Sequence, residues 1–246
     1  MIPKIIHYAW FGSEKPEQIK NRVNEWKSVL PEWKFICWNE NNYDIHKFKF
    51  SGDKYDKGQY GYIVDELRYD VLYNYGGFYL DTDEVIKKDL TPLLNNRMVW
   101  GFMYDNSISG GLIGSEPQEE FLMYLLDTYA GKINTDIYNK LGNFTSNPII
   151  TSIFLRKWSS LKLNGEKQEL ENGIIIFPKD YFCYLSRNNK ANYAQHLFDN
   201  SWGVKNKGMY GFMKRKVSSL FPYAFSKISA KRGAKIAEQD MKLIRE

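Results

Sequence analysis

The sequence is poor in cysteine and contains no long apolar run. Cys37 and Cys183 are the only cysteines among 246 residues, and they form no CxxC or cysteine–histidine zinc spacing. A disulfide framework is therefore excluded, and a reducing compartment is expected. Because eighteen apolar residues never run together, no segment is expected to span a bilayer. The N-terminal residues show no charged leader before an apolar run, so we predict a soluble, cytosolic protein without a secretory signal.

Net positive charge is absent outside the C-terminal part of the chain. Residues 203–246 contain eleven Lys and Arg against three acids, a net charge of +8, whereas residues 1–202 contain 23 bases and 26 acids, a net charge of −3. The main part of the chain is therefore not a basic nucleic-acid platform, and no nucleic-acid partner is expected. With 43% hydrophobic residues the chain can form a sizeable core, which excludes a disordered or collagen-like protein.

Short apolar strands alternate with helical patterns, which predicts an α/β sheet rather than a bundle or a sandwich. Strands are predicted at residues 2–10, 33–38, 78–80, 99–104, 111–114 and 173–178. Helices are predicted at residues 16–30, 62–75 and 118–129 and after Asn147-Pro148, with a polar loop at residues 51–61. No internal repeat or low-complexity linker occurs. We therefore predict one domain over residues 1–202 and a basic C-terminal appendage over residues 203–246.

Asp81 and Asp83 are separated by one residue in the segment YGGFYLDTD, residues 75–83. Gly76-Gly77 ends the preceding helix, and Asp81 follows a short apolar strand, at the edge where open α/β sheets bind their ligands. Carboxylate oxygens suit Mn²⁺ or Mg²⁺, and such an ion keeps open positions that a diphosphate can occupy. Taken alone, the pair also fits two solvated acids of a turn.

Asp65 and Arg68 form a second charged pair just upstream of these acids. They are three residues apart in a predicted helix, so they share one helix face. By spacing alone they also fit an ordinary surface ion pair, which contributes a few tenths of a kcal/mol.

Four segments follow one another along the first 202 residues. They are IPKIIHYAWFG at residues 2–12, DELR at residues 65–68, YGGFYLDTD at residues 75–83, and His196 followed by Ser201-Trp202. Together they resemble the DxD sugar-binding glycosyltransferases of family 32. That family is similar to yeast initiating mannosyltransferases, bacterial capsule transferases and the glucosylating clostridial toxins.

The resemblance implies a GT-A type glycosyltransferase fold, an α/β fold with a single Rossmann-like mixed sheet flanked by helices. It also implies a nucleotide-sugar donor, a divalent cofactor that is Mn²⁺ or Mg²⁺, and transfer with retention of the α configuration. The basic appendage lies outside the resemblance.

The N-terminal segment contains the residues that the resemblance places at the donor base. Tyr8, Ala9 and Trp10 would bind the donor, with the Trp10 ring stacked on the base. On residue type alone, Trp10 equally fits a core residue at the end of a strand.

The four predicted catalytic residues are Asp65, Arg68, Asp81 and Asp83. The resemblance implies that Asp65 and Arg68 hold the donor sugar, and that Asp81, with Thr82 beside it, contacts the ribose and the sugar. Asp81 and Asp83 would bind the metal. Metal and Arg68 together would then offset the charge that grows on the diphosphate as the glycosidic bond breaks.

A late segment would close over the donor. In it, His196 is a predicted metal ligand, Ser201 and Trp202 are predicted phosphate contacts, and Asp199 and Asn200 lie between them. By residue type, His196 also fits a surface position and Trp202 a core position, whereas His7 is expected to be a satisfied core histidine. The resemblance adds lining residues without assigned roles: Ser109, Gly110, Gly111, Asn147 and Asn200.

The C-terminal appendage mixes bases with bulky apolar residues. From Val204 to Ala237 there are nine bases and no acids. This pattern suits amphipathic helices on an anionic membrane, and Pro222 should divide the appendage into two helices. Alternatively, its apolar face packs on the catalytic domain and its bases are solvated. The first interpretation predicts a peripheral protein on the cytoplasmic face of the membrane.

The leading prediction is a retaining, metal-dependent transferase that moves a hexose from a nucleotide sugar, UDP-galactose or UDP-glucose, to a glycan. A lipid-linked acceptor in bacterial capsule or surface polysaccharide synthesis would give membrane docking a purpose. Two alternatives stay open. The segment LDTDEV at residues 80–85 also fits a haloacid dehalogenase-type phosphatase, with its first Asp as nucleophile, and the same fold could serve a non-catalytic glycan-binding module.

Overall fold

The computed structural model describes residues 1–199 and 222–246. Its strands are β1 (Ile5–Ala9), β2 (Lys34–Trp38), β3 (Gly77–Leu80), β4 (Glu84–Ile86), β5 (Met98–Tyr104), β6 (Ser107–Ser115), β7 (Gln168–Glu171), β8 (Ile174–Phe177) and β9 (Ala194–His196). Its α-helices are α1 (Glu17–Val29), α2 (Lys49–Asp56), α3 (Val64–Tyr75), α4 (Glu120–Tyr129), α5 (Thr135–Tyr138), α6 (Ser146–Lys157), α7 (Lys179–Phe182) and α8 (Pro222–Arg245). Short 3₁₀ turns lie at Ile45–Lys47, Tyr60–Tyr62 and Thr91–Leu93.

Seven strands form one mixed sheet in the order β2-β1-β3-β6-β5-β8-β7. Strand β1 runs parallel to β2 and β3, and β8 runs parallel to β5. Strand β6 is antiparallel to both of its neighbours, β3 and β5, and β7 is antiparallel to β8. The predicted α/β class with a mixed sheet and flanking helices is confirmed. A small antiparallel pair, β4 with β9, adds a second sheet that was not predicted.

Two apolar layers cover the faces of the large sheet, as alternation along β3 requires. Tyr79 points into the layer formed with α3, α4 and α6. Phe78 and Leu80 point into the opposite layer, which contains Trp26 of α1 and Phe182 of α7. The sheet is therefore covered on both faces, and the carboxyl ends of β1 and β3 are where a ligand can approach.

Helix α1 follows the predicted apolar spacing closely. Its buried residues are Ile19, Arg22, Val23 and Trp26, at helical intervals along one face. Pro16 precedes the helix in an extended conformation, and its carbonyl accepts hydrogen bonds from the backbone N–H groups of residues 19 and 20. A charged residue, Arg22, thus lies on the inner face of an otherwise apolar stripe.

His7 is a satisfied core residue, as predicted. Its ring is fully buried, with Nε2 2.8 Å from the carbonyl oxygen of Gly76 and Nδ1 3.1 Å from the indole nitrogen of Trp38. Because an indole N–H only donates, Nδ1 is the acceptor and Nε2 carries the proton. Burial lowers the pKa of His7 to about 4, so the ring is neutral near pH 7.

The predicted polar loop at residues 51–61 was wrong. Residues 51–56 belong to helix α2, and residues 60–62 form a 3₁₀ turn. Ser51 is buried, and its backbone N–H and hydroxyl donate to the Glu66 carboxylate at 2.8 and 2.6 Å. A long-range polar contact of this kind stabilises a helix whose local composition favours a loop.

Strand β6 is longer than the predicted strand at residues 111–114. It runs through Gly110 and Gly111, which have low strand propensity. It pairs with β3 through residues 112–115 and with β5 through residues 107–109, 114 and 115, so the two glycines lie between its paired stretches.

Helix α8 packs on the domain through one face. Ala230, Ala237, Met241 and Ile244 are buried, and the helix lies against α6 and β5. The helix begins at Pro222, the residue at which we predicted a division of the appendage. The residues just before it lie outside the described part of the chain. Within residues 1–199 and 222–246, no helix combines the length and the apolarity needed to cross a membrane.

Two isoleucines of α8 allow a direct test of this packing. Ile244 is 2% exposed and Ile236 is 53% exposed. We expect Ile244→Ala to lower the free energy of unfolding by about 2–4 kcal/mol, because it removes buried methyl groups and leaves a cavity. Ile236→Ala, the matched control, should change it by about 0.5 kcal/mol or less. Urea unfolding measures both, and equal effects would contradict the packing.

Candidate active site

The carboxyl ends of β1 and β3 meet at one edge of the sheet, beside the first turn of α3. They border a cleft of about 340 Å³. Seven of the residues predicted from the sequence line it: Ala9, Asp65, Arg68, Asp81, Thr82, Asp83 and His196. We call this space the DxD cleft. Residues far apart in the chain are thus brought together where parallel strands end.

Arg68 is the most enclosed charge of the DxD cleft. Its side chain is 3% exposed, which excludes the surface ion pair. Nη2 lies 3.1 Å from Oδ1 of Asp65 and 3.8 Å from Oδ1 of Asp81. The guanidinium also donates to the carbonyl oxygens of Val64 at 2.9 Å and Gly110 at 2.5 Å. Every one of these partners lowers the cost of burying the charge.

Asp65 is nearly inaccessible to solvent, next to Arg68 on α3. Burial raises the pKa of Asp65 to about 7, an effect that the Arg68 guanidinium opposes and the Asp81 charge reinforces. Burial also raises the pKa of Asp81, again against the lowering effect of Arg68. The two carboxyls therefore compete for one guanidinium, and a further cation would relieve them.

The acid pair is held in place by backbone hydrogen bonds. The Asp81 N–H donates to the carbonyl of Gly111 at 2.8 Å, and the Glu84 N–H donates to the carbonyl of Asp81 at 3.0 Å. This turn directs the carboxylates of Asp81 and Asp83 into the DxD cleft. The carbonyl of Thr82, between them, accepts a hydrogen bond from Nη1 of Arg22 at 2.6 Å.

His196 reaches the acid pair because β9 pairs with β4, with Glu84 opposite His196. Its Nε2 lies 3.5 Å from Oδ1 of Asp83. Its Nδ1 is 3.0 Å from the backbone nitrogen of Phe198, whose N–H donates to it. The neutral ring therefore carries its proton on Nε2, towards Asp83. To ligate a metal through Nε2, His196 would have to move that proton and release Phe198.

The start of the late segment lies over Asp83. The N–H groups of Leu197 and Asp199 donate to the Asp83 carbonyl at 3.0 Å and its Oδ2 at 3.2 Å. The Asp199 carboxylate lies 3.0 Å from Nη2 of Arg22. The closing role predicted for the segment is compatible with this position. The predicted contacts Asn200, Ser201 and Trp202 lie outside the described residues.

Arg22 is a site residue that was not predicted from the sequence. It is buried and connects the backbone of Thr82 with Asp199, so it ties the acid pair to the late segment. Its position on the apolar face of α1 could have indicated a buried role, because an unpaired charge is costly there. A base in that stripe requires an acceptor from another element.

The other predicted residues occupy different surroundings. Tyr8 and Trp10 are buried, and neither is among the described residues that line the DxD cleft. The Trp10 indole N–H donates to the carbonyl of Ser13 at 3.0 Å. Of the predicted N-terminal donor residues, Ala9 alone lines the described cleft.

Gly110 is fixed between two groups of the site. Its carbonyl accepts from Arg68, and its N–H donates to Oδ1 of Asn147 at 3.0 Å. A Cβ at Gly110 would overlap the Arg68 guanidinium and lie 2.8 Å from Cδ1 of Ile150. The Ser109 hydroxyl oxygen accepts the N–H of Gly111 at 3.2 Å. Gly110 and Asn147 therefore support Arg68, and neither is among the described residues that line the cleft.

Six further lining residues were not predicted: Gly61, Tyr62, Val64, Tyr79, Thr145 and Ser146. Thr145 immediately precedes α6, so the positive end of that helix dipole faces the cleft. The run Thr-Ser-Asn-Pro at residues 145–148 could have indicated the start of this helix from the sequence. Tyr79 lies under the Arg68 guanidinium, 5.2 Å from ring centroid to Cζ.

Asp81, Asp83 and His196 can hold a divalent metal. One ligand atom from each lies within 4.8 Å of the others. Among the described lining residues of the DxD cleft, three carboxylates face one guanidinium. The excess negative charge and the hard oxygen donors fit Mn²⁺ or Mg²⁺.

The sheet-end acid pair, the buried arginine and the cation-compatible cluster place the DXD segment at the centre of this cleft. The chain belongs to the glycosyltransferase family with a sugar-binding region containing the DXD motif. The model of that family matches residues 16–100. A GT-A type fold, expected from the resemblance, accords with this membership and with the mixed sheet.

The similar curated proteins are glycosyltransferases of fungi and mammals. Inositol phosphoceramide mannosyltransferase 1 of Schizosaccharomyces pombe is 32% identical over 91% of this chain and 69% of its own length. Mannosyl phosphorylinositol ceramide synthase CSH1 of Saccharomyces cerevisiae is 25% identical, over 74% of this chain and 49% of its own. Lactosylceramide 4-alpha-galactosyltransferase of Mus musculus is 27% identical, over 55% of this chain and 35% of its own length. The chain thus spans about a third to two thirds of the length of these relatives.

Solved structures with similar folds are more distant. The PaToxG glycosyltransferase has a TM-score of 0.47 at 15% identity, over 63% of this chain and 70% of that one. The glycosyltransferase GlyE of Streptococcus pneumoniae TIGR4 has a TM-score of 0.42 at 14% identity, over 66% of this chain and 46% of that one.

The buried pair of Asp65 and Arg68 predicts a large coupling. We expect Arg68→Gln to lower the free energy of unfolding by about 3–5 kcal/mol at pH 8, because it leaves the buried carboxylate of Asp65 without its partner. The double variant Asp65→Asn, Arg68→Gln should lose clearly less than the sum of the single losses. Urea unfolding of the four proteins gives the coupling.

The exposed pair of Arg156 and Asp136 provides the matched control. Its Nη2 to Oδ2 distance is 2.7 Å, and both side chains are roughly half exposed. Arg156→Gln should cost less than about 1 kcal/mol. If Arg68→Gln costs no more than Arg156→Gln, the enclosed ion pair is not a structural requirement of the site.

Proposed function

We propose that this protein is a metal-dependent glycosyltransferase that moves a hexose from a nucleotide-sugar donor to a glycan carried on a lipid. The observation that carries the proposal is the convergence of Asp65, Arg68, Asp81 and Asp83 on one cleft at the carboxyl ends of β1 and β3. Family membership supports the reaction class.

The charge of the DxD cleft supports metal dependence. Three carboxylates and one guanidinium line the described part of the cleft, so a donor diphosphate would meet net repulsion there. A bound Mn²⁺ or Mg²⁺ would be held by Asp81, Asp83 and His196 and would offset the charge on the leaving diphosphate. Arg68 and the positive end of α6 add fixed positive potential from the protein itself.

The positions of the acids support distinct roles. Asp65 is oriented by Arg68 at 3.1 Å and lines the cleft, so its free oxygen can accept a hydrogen bond from a sugar hydroxyl. Asp81 lies 3.8 Å from Arg68, between the guanidinium and Asp83, and can serve both donor and cation. Arg68 thereby fixes the relative placement of the two carboxylates.

Retention of the α configuration is part of the proposal. Each carboxylate among the described lining residues already has a binding partner in this proposal. Asp65 pairs with Arg68, and Asp81 and Asp83 bind the cation. The described residues therefore offer no separate nucleophile at the sugar. This arrangement favours departure and attack on the same side of the sugar, without a covalent enzyme intermediate.

We propose UDP-galactose or UDP-glucose as the donor and a lipid-linked glycan of a bacterial capsule or other surface polysaccharide as the acceptor. The names of the similar proteins support a lipid acceptor, since they specify inositol phosphoceramide and lactosylceramide. The same names specify mannose and galactose as transferred sugars, so GDP-mannose is the third donor to test.

A donor panel tests the function. We expect slow hydrolysis of one nucleotide sugar in the presence of Mn²⁺, complete loss with a chelator, and recovery when Mn²⁺ is restored. Asp83→Ala should reduce the rate at least about 100-fold, since it removes a metal ligand. Asp89→Ala, a nearby exposed acid outside the cleft, is the matched control and should retain the rate.

Other outcomes of the panel identify the alternatives. Release of phosphate from simple monoesters, dependent on Asp81, would indicate a phosphatase of the haloacid dehalogenase type. Saturable binding of glycans with no turnover of any donor would indicate a binding module. Either result would overturn the proposed transferase.

We also propose that α8 holds the protein on the cytoplasmic face of an anionic membrane. Its outer face exposes Ile228, Ile236 and Leu243, which are 71%, 53% and 50% accessible and lie two turns apart. Exposed lysines flank this stripe at Lys231, Lys235 and Lys242. Apolar side chains edged by bases suit the interface of an anionic bilayer. The buried face of the helix stays on the domain.

Vesicle sedimentation tests the membrane proposal. The full chain should bind phosphatidylcholine vesicles that contain phosphatidylglycerol, and the triple variant Lys231→Gln, Lys235→Gln, Lys242→Gln should bind them roughly 100-fold more weakly, at about 1 kcal/mol per base. The variant Lys20→Gln, Lys57→Gln, Lys162→Gln removes the same charge from other exposed sites and should bind normally. Equal losses in both triple variants would show that only net charge matters.

A further inference from the structure

A second cavity, separate from the DxD cleft, lies at the far end of the β4–β9 pair. Its volume is about 450 Å³, and it shares no described lining residue with the DxD cleft. No carboxylate is among the described residues that line it. We call this space the lysine cavity, because its lining includes three lysines beside three aromatic rings: Lys88, Lys167, Lys190, Phe177, Tyr181 and Tyr193.

The lysines of this cavity have no acidic partner in the described part of the chain. None of the three forms an ion pair with a carboxylate there, although several other lysines do. Lys88 instead donates to two backbone carbonyls at residues 189–191, and its Nζ lies 5.5 Å from the centroid of the Tyr193 ring. Nζ of Lys167 lies 5.2 Å from the centroid of the Phe177 ring. Carbonyls and ring faces stabilise an ammonium group without neutralising it.

Two acids lie close to the cavity along the chain, but their carboxylates have other partners. Oδ1 of Asp89 accepts hydrogen bonds from the backbone N–H and the hydroxyl of Thr91 at 3.0 and 2.8 Å. Oδ2 of Asp180 accepts a hydrogen bond from the hydroxyl of Ser186 at 2.9 Å. A concave wall that carries charge of one sign attracts a ligand of the opposite sign. The lysine cavity is therefore suited to an anion.

The aromatic rings indicate a ligand larger than a simple anion. Tyr181 and Tyr193 are stacked, with ring centroids 6.0 Å apart and planes 15° from parallel, and both are partly exposed. The Phe177 ring lies 4.8 Å from that of Tyr181. An inorganic ion would contact the ammonium groups alone, whereas an acidic sugar can place its apolar C–H face on a ring and its anionic group on a lysine. The volume of the cavity is within the range of small-molecule sites, about 300–1,000 Å³.

The β4–β9 pair connects the lysine cavity with the DxD cleft. Tyr193 precedes β9 and lines the lysine cavity, whereas His196 ends β9 and lines the DxD cleft. Because three residues of fully extended chain span at most about 11 Å, the Cα atoms of these two residues are no farther apart than that. A glycan of a few sugars with one sugar at the DxD cleft is therefore long enough to place another in the lysine cavity.

We propose that the lysine cavity binds an acidic sugar of the acceptor glycan, a hexose that carries a phosphate or a carboxylate. The assignment to the acceptor rests on the proposed function, whereas the binding of an acidic hexose does not. Lys167 and Lys190 contact the anionic group, and Tyr181 and Tyr193 contact the sugar ring. Lys88 holds the neighbouring loop through its two carbonyl contacts. The acceptor is thereby selected by its charge, at a site separate from the point of transfer.

Amide NMR spectra of the full chain, titrated without donor or metal, test the inference. We expect glucose 6-phosphate and glucuronic acid to shift the amide signals of Tyr181 and Tyr193 in a saturable way. The signals of Asp65 and Thr145, at the DxD cleft, should not shift. Glucose lacks the charge and inorganic phosphate lacks the ring, so each should bind at least about 10-fold more weakly than glucose 6-phosphate.

The charge and the ring can be removed separately. The variant Lys167→Gln, Lys190→Gln should raise the Kd for glucose 6-phosphate roughly 10-fold, since it removes two charge contacts. The variant Lys20→Gln, Lys57→Gln removes the same charge at exposed positions outside both cavities and should leave this Kd unchanged. Tyr181→Leu should weaken the binding of glucose 6-phosphate but not the weaker binding of inorganic phosphate, because it removes a ring face and no charge.

Three results would overturn the inference. If inorganic phosphate binds as tightly as the acidic sugars, the cavity takes an anion alone. Tighter binding of uridine monophosphate, with shifts of the same amide signals, would indicate a nucleotide site instead. Equal losses in the two double-lysine variants would show that net charge, and not the cavity, explains the binding.

Donor hydrolysis in the presence of Mn²⁺ separates this inference from the proposed function. Hydrolysis without binding of either acidic sugar would refute the sugar site in the lysine cavity and leave the transferase standing. Binding of the acidic sugars without hydrolysis of any donor would refute the assignment to an acceptor, together with the transferase.

Discussion

The enclosed guanidinium of Arg68 is the interaction on which the site depends. It joins the first turn of α3, through Asp65 and Val64, to strand β6 through Gly110, and it lies 3.8 Å from Asp81 at the end of β3. A charge buried to this degree is stable only when all of its partners are in place. Helix, strand and acid pair are therefore positioned together, and Gly110 lacks a side chain because the guanidinium occupies that space.

A second buried arginine, Arg22, stabilises the acid pair from the other side. Arg22 reaches from α1 to the carbonyl of Thr82 and to Asp199, so it couples the acid pair to the segment that lies over Asp83. The acid pair is thus held between two guanidiniums that contact its backbone or its neighbours. Neither neutralises Asp83, whose nearest described side-chain partner is His196 at 3.5 Å. A divalent cation bound at this site would therefore offset the negative charge of Asp83.

The strand-end position of Asp81 and Asp83 was predictable, because an apolar strand followed by acids delivers them to the ligand edge of an α/β sheet. The face shared by Asp65 and Arg68 was predictable from helical spacing, although their burial was not. Arg22 and helix α2 escaped prediction for a common reason. Each depends on contacts across long sequence separations, such as Ser51 with Glu66, which local patterns do not encode.

Charge is distributed in this chain so that no single net value describes it. Helix α8 exposes lysines around an apolar stripe and buries its opposite face against α6 and β5, whereas the DxD cleft concentrates carboxylates. Under the proposed function, an anionic membrane surface would bind directly to these bases, whereas an anionic diphosphate would bind through a cation. Because the two regions have opposite sign, an anion attracted to the basic helix face would not be attracted to the carboxylates of the cleft itself. A lipid-borne acceptor could then be held at the membrane while the donor is bound at the carboxyl ends of the strands.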